Sequence, residues 1–320
     1  MKNTEIIKEV NKQMKVSQRI LPKKLMSFRS IEPYLYLIPA ILSVAFWIYR
    51  PLLQAFELSF YNWNLIQTSP KIFVGLENFI SIFRQPEMGK ALVNTIIYII
   101  GILPLSVLIP LMIAIMTDNI GKKAGNIYHA LIFLPMVIAP VVIAIVWRWI
   151  LHPTNGIGSV VLNTIFQLKE PIRFFSDERI AIWSIVFITG WKMIGFSTLI
   201  FYTALKGMNR EYYEAAAVDG ASRFQLIRHI TMPLLSPYIL LVTMISILFS
   251  SEWSFTYIDV LTEGGPFYST TNIHYLLWIF GFQTFKVGWS SAASILLFCC
   301  FGVLAWLLIQ LSNKLSFYDD

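Results

Sequence analysis

The sequence carries little charge for its length. Only 13% of its 320 residues are charged, about half of the share that is usual in a soluble globular domain. In contrast, 56% are hydrophobic, 15% are aromatic and the mean hydropathy is +0.64. This composition excludes a water-soluble globule and indicates the lipid bilayer as the solvent.

Cysteine and metal-binding patterns are scarce as well. The two cysteines, Cys299 and Cys300, are adjacent in the last apolar run, where their side chains point to different helix faces and do not easily form a disulfide. The four histidines have no carboxylate or cysteine partner at ligand spacing, so support for a metal site is weak. The nucleotide-phosphate pattern GxxxxGK[ST] is absent.

Long apolar runs are what the sequence has in abundance. A transmembrane helix needs about 20 mostly apolar residues, and six such runs lie at roughly 34–60, 92–117, 128–150, 180–205, 234–255 and 291–311. In lipid the backbone must satisfy its own hydrogen bonds, so these runs predict helices. Prolines in the second and third runs are not expected to interrupt them. The predicted fold is all-α, a polytopic membrane protein with about six transmembrane helices.

One further segment, 268–285, is apolar and aromatic but contains several polar residues, among them His274 and Gln283. We interpret it as an interfacial or partly buried helix on the outer side. The alternative is a seventh span, which would place the C-terminus on the opposite side of the membrane.

Basic residues predict the orientation, because Lys and Arg are retained on the cytoplasmic side of short loops. With the N-terminus inside, the predicted cytoplasmic segments hold fifteen Lys and Arg and the outer segments eight. Both termini are therefore expected in the cytoplasm. Residues 1–32 form a basic cytoplasmic arm, for which attraction to anionic lipid is a simpler interpretation than nucleic-acid binding. Residues 33–320 form the predicted transmembrane domain.

A polar, alanine-rich loop at 207–233 separates the fourth and fifth spans on the predicted cytoplasmic side. Its sequence predicts two short helices with a turn at Gly220, since glycine readily adopts positive φ. Alanines permit another surface to approach closely, and Pro233 is tolerated in the first turn of the next span. A solvated linker helix is the simplest alternative.

The spacing within this loop resembles the EAA loop of permease subunits in ATP-binding-cassette importers. That pattern is EAA, three residues, G, nine residues, I, one residue, then Leu-Pro, and only Met232 departs from it here. The residues that the resemblance assigns to coupling with an ATPase are Glu214, Ala215, Ala216, Asp219, Gly220, Ala221, Ile230 and Pro233.

A second stretch, YIDVLTEGGPFYSTT at Tyr257 to Thr271, resembles the Leu-Thr-x-Gly-Gly-Pro segment of maltose-transporter-type permease subunits. That branch moves sugars and related solutes, whereas an ordinary turn would explain the Gly-Gly-Pro alone. Together with the six-span layout, the resemblance covers the chain from about residue 33 onward. It implies a multi-pass protein of the prokaryotic cytoplasmic membrane.

The resemblance also implies a mechanism of alternating access. A second, homologous permease subunit would complete the pathway, and two cytoplasmic ATPase subunits would supply energy from ATP and Mg²⁺. The loop would sit in a cleft of an ATPase and move when the ATPases close, while this chain performs no catalysis and binds no cofactor. An extracytoplasmic solute-binding protein would deliver a sugar or oligosaccharide, and an acidic saccharide, a neutral one and a glycerol-phosphate-type solute all remain open.

Ionisable residues within spans are costly and indicate function by default, which draws attention to Lys192 in the fourth predicted span. Aromatic rings can stack on a sugar, and a lysine can bind its hydroxyls or an acidic group. The candidates for the solute pathway are Trp191, Lys192, Trp253 and Tyr257. Alternatively, Trp191 faces lipid or packs between helices, and Lys192 pairs with a carboxylate such as Glu252 or Asp259.

Two other classes of function remain as alternatives. A secondary active transporter is expected to contain internal inverted repeats or paired intramembrane carboxylates, and neither is evident. A membrane-embedded sensor or scaffold would need no solute pathway. The predicted function is therefore a permease subunit that forms half of the translocation pathway of an importer.

Overall fold

The computed structural model describes residues 28–66, 68–118, 120–167 and 170–315. Most of the predicted basic arm at 1–32 lies outside these ranges. The chain divides into two units, Met1–Gln54 and Ala55–Asp320. The first contains most of the predicted first span, and the second contains the two signature segments.

The described residues are mostly helical, which confirms the predicted fold class. The helices are α1 (Phe28–Val44), α2 (Arg50–Leu58), α3 (Glu77–Phe83), α4 (Pro86–Leu103), α5 (Ile109–Thr117), α6 (Lys122–Val137), α7 (Pro140–Ile150), α8 (Ile157–Phe166), α9 (Ala181–Gly207), α10 (Glu211–Val218), α11 (Arg223–Leu226), α12 (Met232–Leu261), α13 (Ile273–Trp278) and α14 (Val287–Leu315). A two-residue hairpin pairs β1 (Tyr61–Asn62) antiparallel with β2 (Ile72–Phe73), with Tyr61 opposite Phe73.

Four π-helical turns adjoin these helices. They are Ala45–Tyr49 between α1 and α2, Pro104–Leu108 between α4 and α5, Ile227–Thr231 between α11 and α12, and Ile279–Gln283 after α13. Proline lacks an amide donor and removes one helical hydrogen bond, so a wider turn at Pro104 is a local response to that residue. The helix nevertheless continues from Pro86 to Thr117, as predicted for the second span.

Within the described ranges, five helices are long and apolar enough to cross a bilayer: Tyr34–Leu58, Pro86–Thr117, Ala181–Gly207, Arg223–Leu261 and Val287–Lys314. A sixth span requires the pair Lys123–Val137 and Pro140–Ile150, which bends by 97° at its break. The predicted third span, 128–150, is therefore a bent pair of helices rather than one straight helix.

The cause of this break is local. Pro140 disfavours the helical conformation of the residue before it, and both Ile138 and Ala139 adopt extended ψ angles of 136° and 135°. Pro140 then begins α7, where its missing amide costs no hydrogen bond.

The segment 268–285 contains α13 and the turn Ile279–Gln283, which are six and five residues long. Both are too short to cross a bilayer, so no seventh span lies in this part of the described structure. Ile273, Tyr275 and Leu276 are buried, in agreement with the interpretation as a partly buried helix.

Helix α9 runs through the centre of the second unit, where it packs against α4, α5, α6 and α12. Two glycines permit this close packing. A Cβ at Gly195 would lie 2.3 Å from the Ile132 carbonyl oxygen of α6, and one at Gly190 would lie 2.4 Å from the Leu105 side chain. Small residues at helix contacts are typical of membrane proteins, because helix association in lipid depends on close packing.

Helices α9 and α12 run antiparallel along each other. Near the start of α9, Ile185 belongs to the same apolar cluster as Tyr257 of α12. Near its end, Phe201 belongs to the same cluster as Val242. The two shared clusters show approximately which levels of the two helices correspond.

Candidate functional site

The predicted turn at Gly220 closes α10. Gly220 has φ +75°, its amide donates to the Ala217 carbonyl at 3.1 Å, and the Ala221 amide donates to the Ala216 carbonyl at 3.0 Å. These two bonds define a Schellman helix end, at which the left-handed position favours glycine. The EAA pattern therefore includes the residues that close this turn.

The second helix of the loop begins at a capping box. The Gln225 amide donates to the Ser222 hydroxyl at 3.4 Å, and the Ser222 amide donates to Gln225 Oε1 at 2.8 Å. From Arg223 the helix continues through the π-helical turn and α12 to Leu261. The second half of the loop is thus the first part of a candidate membrane span.

The signature residues divide into two sets by exposure. Glu214, Ala215, Asp219 and Gly220 are exposed, and Ala216, Ala221, Ile230 and Pro233 are half-buried. The exposed set is available to a partner, whereas the half-buried set packs the loop against this chain.

Two exposed apolar residues adjoin this surface, and the sequence reasoning missed them. Val218 is 89% exposed and Phe224 is 69% exposed. They flank the turn at Gly220, and every other side chain from 214 to 225 is small or polar. This contrast in the sequence could have identified both residues before the structure was known. We call the exposed surface formed by Glu214, Ala215, Val218, Asp219, Gly220 and Phe224 the loop face.

Tyr213 connects the two halves of the loop from the side opposite to solvent. Its hydroxyl lies 3.1 Å from the hydroxyl of Thr231 and 3.3 Å from the sulfur of Met208. Thr231 is buried and belongs to the turn that leads into α12. The tyrosine therefore fixes α10 to the base of α12.

Lys206 joins the end of α9 to the end of α5. Its ammonium lies 2.9 Å from Asp118 Oδ1 and donates to the Asp118 carbonyl at 2.8 Å. Both side chains are partly exposed, so the pair contributes at most about 1 kcal/mol to stability. The pair also borders a cavity of about 390 Å³, which Arg210 and Glu214 of the loop line as well.

The second signature segment is fixed to α4 by hydrogen bonds to its backbone. Lys90 Nζ donates to the Phe267 carbonyl at 2.8 Å, Asn94 Nδ2 donates to the Tyr268 and Thr271 carbonyls at 2.9 Å each, and the Tyr98 hydroxyl donates to the Thr270 carbonyl at 3.0 Å. Among these carbonyls, those of Thr270 and Thr271 belong to fully buried residues, where an unpaired carbonyl would be costly.

Gly264 and Asn272 connect the same segment to neighbouring helices. Gly264 has φ +81°, and a Cβ there would lie 2.5 Å from Thr271 Oγ1. Asn272 caps α13 by accepting from the Tyr275 amide, and its Nδ2 donates to the Ser251 carbonyl at 2.7 Å and to Ser254 Oγ at 3.0 Å. The Gly-Gly-Pro signature thus builds a fixed connection between α12 and α13.

The four candidates for the solute pathway lie on α9 and α12, but they do not form one cluster. Trp191 packs edge-on against Trp147 at 5.5 Å and adjoins the cluster that contains buried Tyr257. Trp253 stacks on Phe249 at 6.1 Å. Trp191 therefore packs between helices, as one alternative proposed.

Lys192 is buried, with 7% of its surface exposed. Neither carboxylate named as its possible partner pairs with it. Glu252 is exposed, Asp259 accepts a hydrogen bond from the Tyr275 hydroxyl at 3.4 Å, and the ion pairs of the described residues involve Lys71, Lys90 and Lys206. The alternative that Lys192 pairs within this chain is therefore wrong for the described residues.

Four of the six buried hydroxyls without a hydrogen-bond partner in the described structure lie on the same two helices. They are Thr189 and Thr198 of α9, and Ser251 and Tyr257 of α12. Unpaired buried polar groups are rare in proteins and call for an explanation, such as a bound ligand or water.

The described residues contain no group of three or more histidine, cysteine or acidic side chains that could hold a metal ion. His274 of α13 stacks on Phe301 at 6.4 Å. Burial lowers the pKa of His274, and the Glu252 carboxylate opposes this shift. A neutral, stacked histidine fits a packing role.

Residues 109–315 match the family model described as "Binding-protein-dependent transport system inner membrane component". The chain is 31% identical over 306 residues to the probable ABC transporter permease protein YesP of Bacillus subtilis, covering 93% of this chain and 96% of the relative. It is also 29% identical over 265 residues to the sn-glycerol-3-phosphate transport system permease protein UgpA of Pectobacterium atrosepticum, covering 83% and 88%.

Two solved structures have the same fold. One is a bacterial ABC transporter involved in the import of the acidic polysaccharide alginate, with a TM-score of 0.78, 23% identity and coverage of 91% of this chain and 99% of that chain. The other is a bacterial alginate ABC transporter in complex with an alginate pentasaccharide-bound periplasmic protein, with a TM-score of 0.73, 24% identity and coverage of 90% and 96%.

Proposed function

Because the chain belongs to the family of inner membrane components of binding-protein-dependent transport systems, we propose that it is the permease subunit of an ABC importer for a sugar or sugar derivative. It is a multi-pass protein of the prokaryotic cytoplasmic membrane and a transport component rather than an enzyme. A second, homologous permease completes the pathway, and two ATPase subunits use ATP and Mg²⁺.

The continuity of the loop with a candidate span carries this proposal. The loop face surrounds a turn that two hydrogen bonds close, and the helix that follows continues to Leu261. An ATPase that binds the loop face would therefore move α12 directly. A solvated linker would need neither the Schellman turn nor the contact between Tyr213 and Thr231.

The proposed solute class rests on the relatives and on the second signature. UgpA is named for sn-glycerol-3-phosphate transport, and the two structural neighbours are alginate transporters. An extracytoplasmic binding protein delivers the solute, as the family description implies. Trp191, Lys192, Trp253 and Tyr257 remain the proposed pathway residues, with Trp191 acting through its packing against Trp147.

Affinity purification of the chain from its native membrane in mild detergent tests the proposal. A second permease and an ATPase are expected to co-purify, and the purified complex should hydrolyse ATP. A reproducibly monodisperse chain without an ATPase would instead favour a secondary transporter. A membrane-embedded sensor would leave uptake intact when its gene is deleted.

Matched variants localise the ATPase contact. Phe224→Ser removes an apolar side chain from the loop face, and Phe267→Ser removes one that is 76% exposed near the other end of α12. We expect only Phe224→Ser to reduce ATPase retention during purification. Equal retention in both variants would contradict the assignment of the loop face.

A further inference from the structure

Lys192 is a buried residue with 7% of its surface exposed, and the described part of the chain does not compensate its charge. Its ammonium has neither a carboxylate nor a hydrogen-bond acceptor among residues 28–66, 68–118, 120–167 and 170–315. A buried charge without a partner is strongly destabilising, and an ionisable residue within a span is expensive wherever it lies. A group from outside the chain is therefore needed to balance it.

Buried hydroxyls lie at about the level of Lys192 on both helices. Thr189 lies three residues before Lys192 on the same face of α9, and its buried hydroxyl has no partner in the described structure. Interpolation between the cluster that contains Ile185 and Tyr257 and the cluster that contains Phe201 and Val242 puts residue 192 at about the level of Ser251 on α12. The Ser251 hydroxyl is also buried and without a described partner.

An ammonium and two free hydroxyls at one level match the polar groups of an acidic sugar. The ammonium would balance a carboxylate or phosphate, and the hydroxyls would exchange hydrogen bonds with neighbouring sugar hydroxyls. A neutral sugar would satisfy the hydroxyls but would leave the charge unbalanced.

We propose that the transported solute is anionic and that Lys192 binds its carboxylate or phosphate group, assisted by Thr189 and Ser251. This inference rests on the proposed importer function and specifies its substrate class. Lys192 is then a specificity-determining residue, because its charge distinguishes an acidic sugar from a neutral one of the same shape.

The test uses the complete complex, reconstituted in lipid nanodiscs with its own binding protein. ATPase stimulation is measured with two matched pairs of probes: trigalacturonate and its trimethyl ester, and sn-glycerol 3-phosphate and glycerol. The first pair tests a carboxylate, the second a phosphate. Lys192→Met removes the charge at similar length, and Lys192→Arg keeps it.

We expect one anionic probe to stimulate wild-type ATPase while its neutral counterpart does not. Lys192→Met should lower that stimulation about thirtyfold, the low end of the effect of truncating one partner of a buried charge pair. Lys192→Arg should retain most of it. Because both variants use the same binding protein, a difference between them reflects the membrane subunits.

Three results with the solute probes would overturn the proposal. They are equal stimulation of the wild type by a neutral probe and its anionic counterpart, stimulation by neither anion, and undiminished stimulation in Lys192→Met. Loss of the companion permease from Lys192→Met but not Lys192→Arg would also overturn it, because the counter-charge would then belong to that subunit. A wild-type chain that assembles with no ATPase would instead refute the proposed function.

Discussion

The substitution Gly220→Asp is expected to impair coupling of the loop to an ATPase while the chain still folds. Gly220 has φ +75°, and a Cβ built there meets nothing within 4 Å. The substitution therefore causes no clash within this chain. Its internal cost is the left-handed backbone, about 1–2 kcal/mol for an ordinary residue and less for aspartate or asparagine. A domain with a typical stability of about 5–15 kcal/mol remains folded after such a loss.

The larger effect of Gly220→Asp is expected at the ATPase interface. Gly220 lies within the exposed loop face, beside the carboxylate of Asp219. A second carboxylate buried there without a partner would cost about 1.4 kcal/mol or more, which corresponds to at least a tenfold loss of coupled transport. We expect hydrolysis by the ATPases to persist while solute uptake falls.

Two matched variants isolate this effect in the uptake assay. Gly220→Asn has nearly the same size and backbone tolerance without the charge, so it should retain most of the transport. Gly75→Asp introduces the same residue at another position with positive φ, where a Cβ also meets nothing within 4 Å. Uptake by Gly220→Asp equal to that of Gly75→Asp, at equal expression, would refute the coupling role of the loop.

Three further experiments test individual contacts through unfolding of the purified chain in detergent. In a double-mutant cycle, Tyr213→Phe and Thr231→Val should show a coupling of about 0.5–1.5 kcal/mol, the value of one hydrogen bond, and strict additivity would exclude the bond between their hydroxyls. Gly195→Ala should destabilise the chain by about 1–3 kcal/mol because its Cβ would overlap a backbone carbonyl of α6. Gly207→Ala on the same helix meets nothing within 4 Å and should change stability little, so equal effects of the two would contradict the packing of α9. Asn272→Asp keeps the acceptor that caps α13 but loses two hydrogen bonds donated to α12, so it should cost about 2 kcal/mol or more, and a neutral result would show that this connection does not stabilise the fold.

The features that the sequence predicted correctly depend on local chemistry. The turn at Gly220 could be anticipated because a glycine between two short helical segments is typical of a left-handed helix end. Apolar runs gave the spans because length and composition alone decide whether a helix suits a bilayer. Pro140 also gave a local indication of the break, since a residue before proline avoids the helical region. The break was not predicted because neighbouring helices were expected to satisfy the carbonyls that prolines leave unpaired.

The contacts that the sequence did not predict are distant along the chain. Asn94 and Tyr98 bind backbone carbonyls that lie more than 170 residues away, and no periodicity or spacing within either segment indicates this pairing. Similarly, Tyr213 meets Thr231 across the loop only because the Gly220 turn folds the two helices together. The proposed pairing of Lys192 with Glu252 or Asp259 failed for the same reason, since opposite charges on two helices do not reveal which faces meet.

The geometry of α12 explains how a small movement of the loop could change the solute pathway. The helix from Arg223 to Leu261 has 39 residues, about 58 Å at 1.5 Å per residue, whereas the hydrocarbon core is about 30 Å thick. Ser251 lies 28 residues above Arg223, about 42 Å along the axis, so a tilt of about 5° at the base would displace it by about 4 Å.

Helix α9 cannot follow such a movement freely, because Gly190 and Gly195 hold it closely against Leu105 and α6. A tilt of α12 would therefore separate Ser251 from Lys192 and Thr189 rather than move the three together. The loop face would thus control the spacing of the polar groups that we assign to the solute. This arrangement requires the contact between Tyr213 and Thr231 to hold during the movement, since otherwise α10 would move while α12 remained in place.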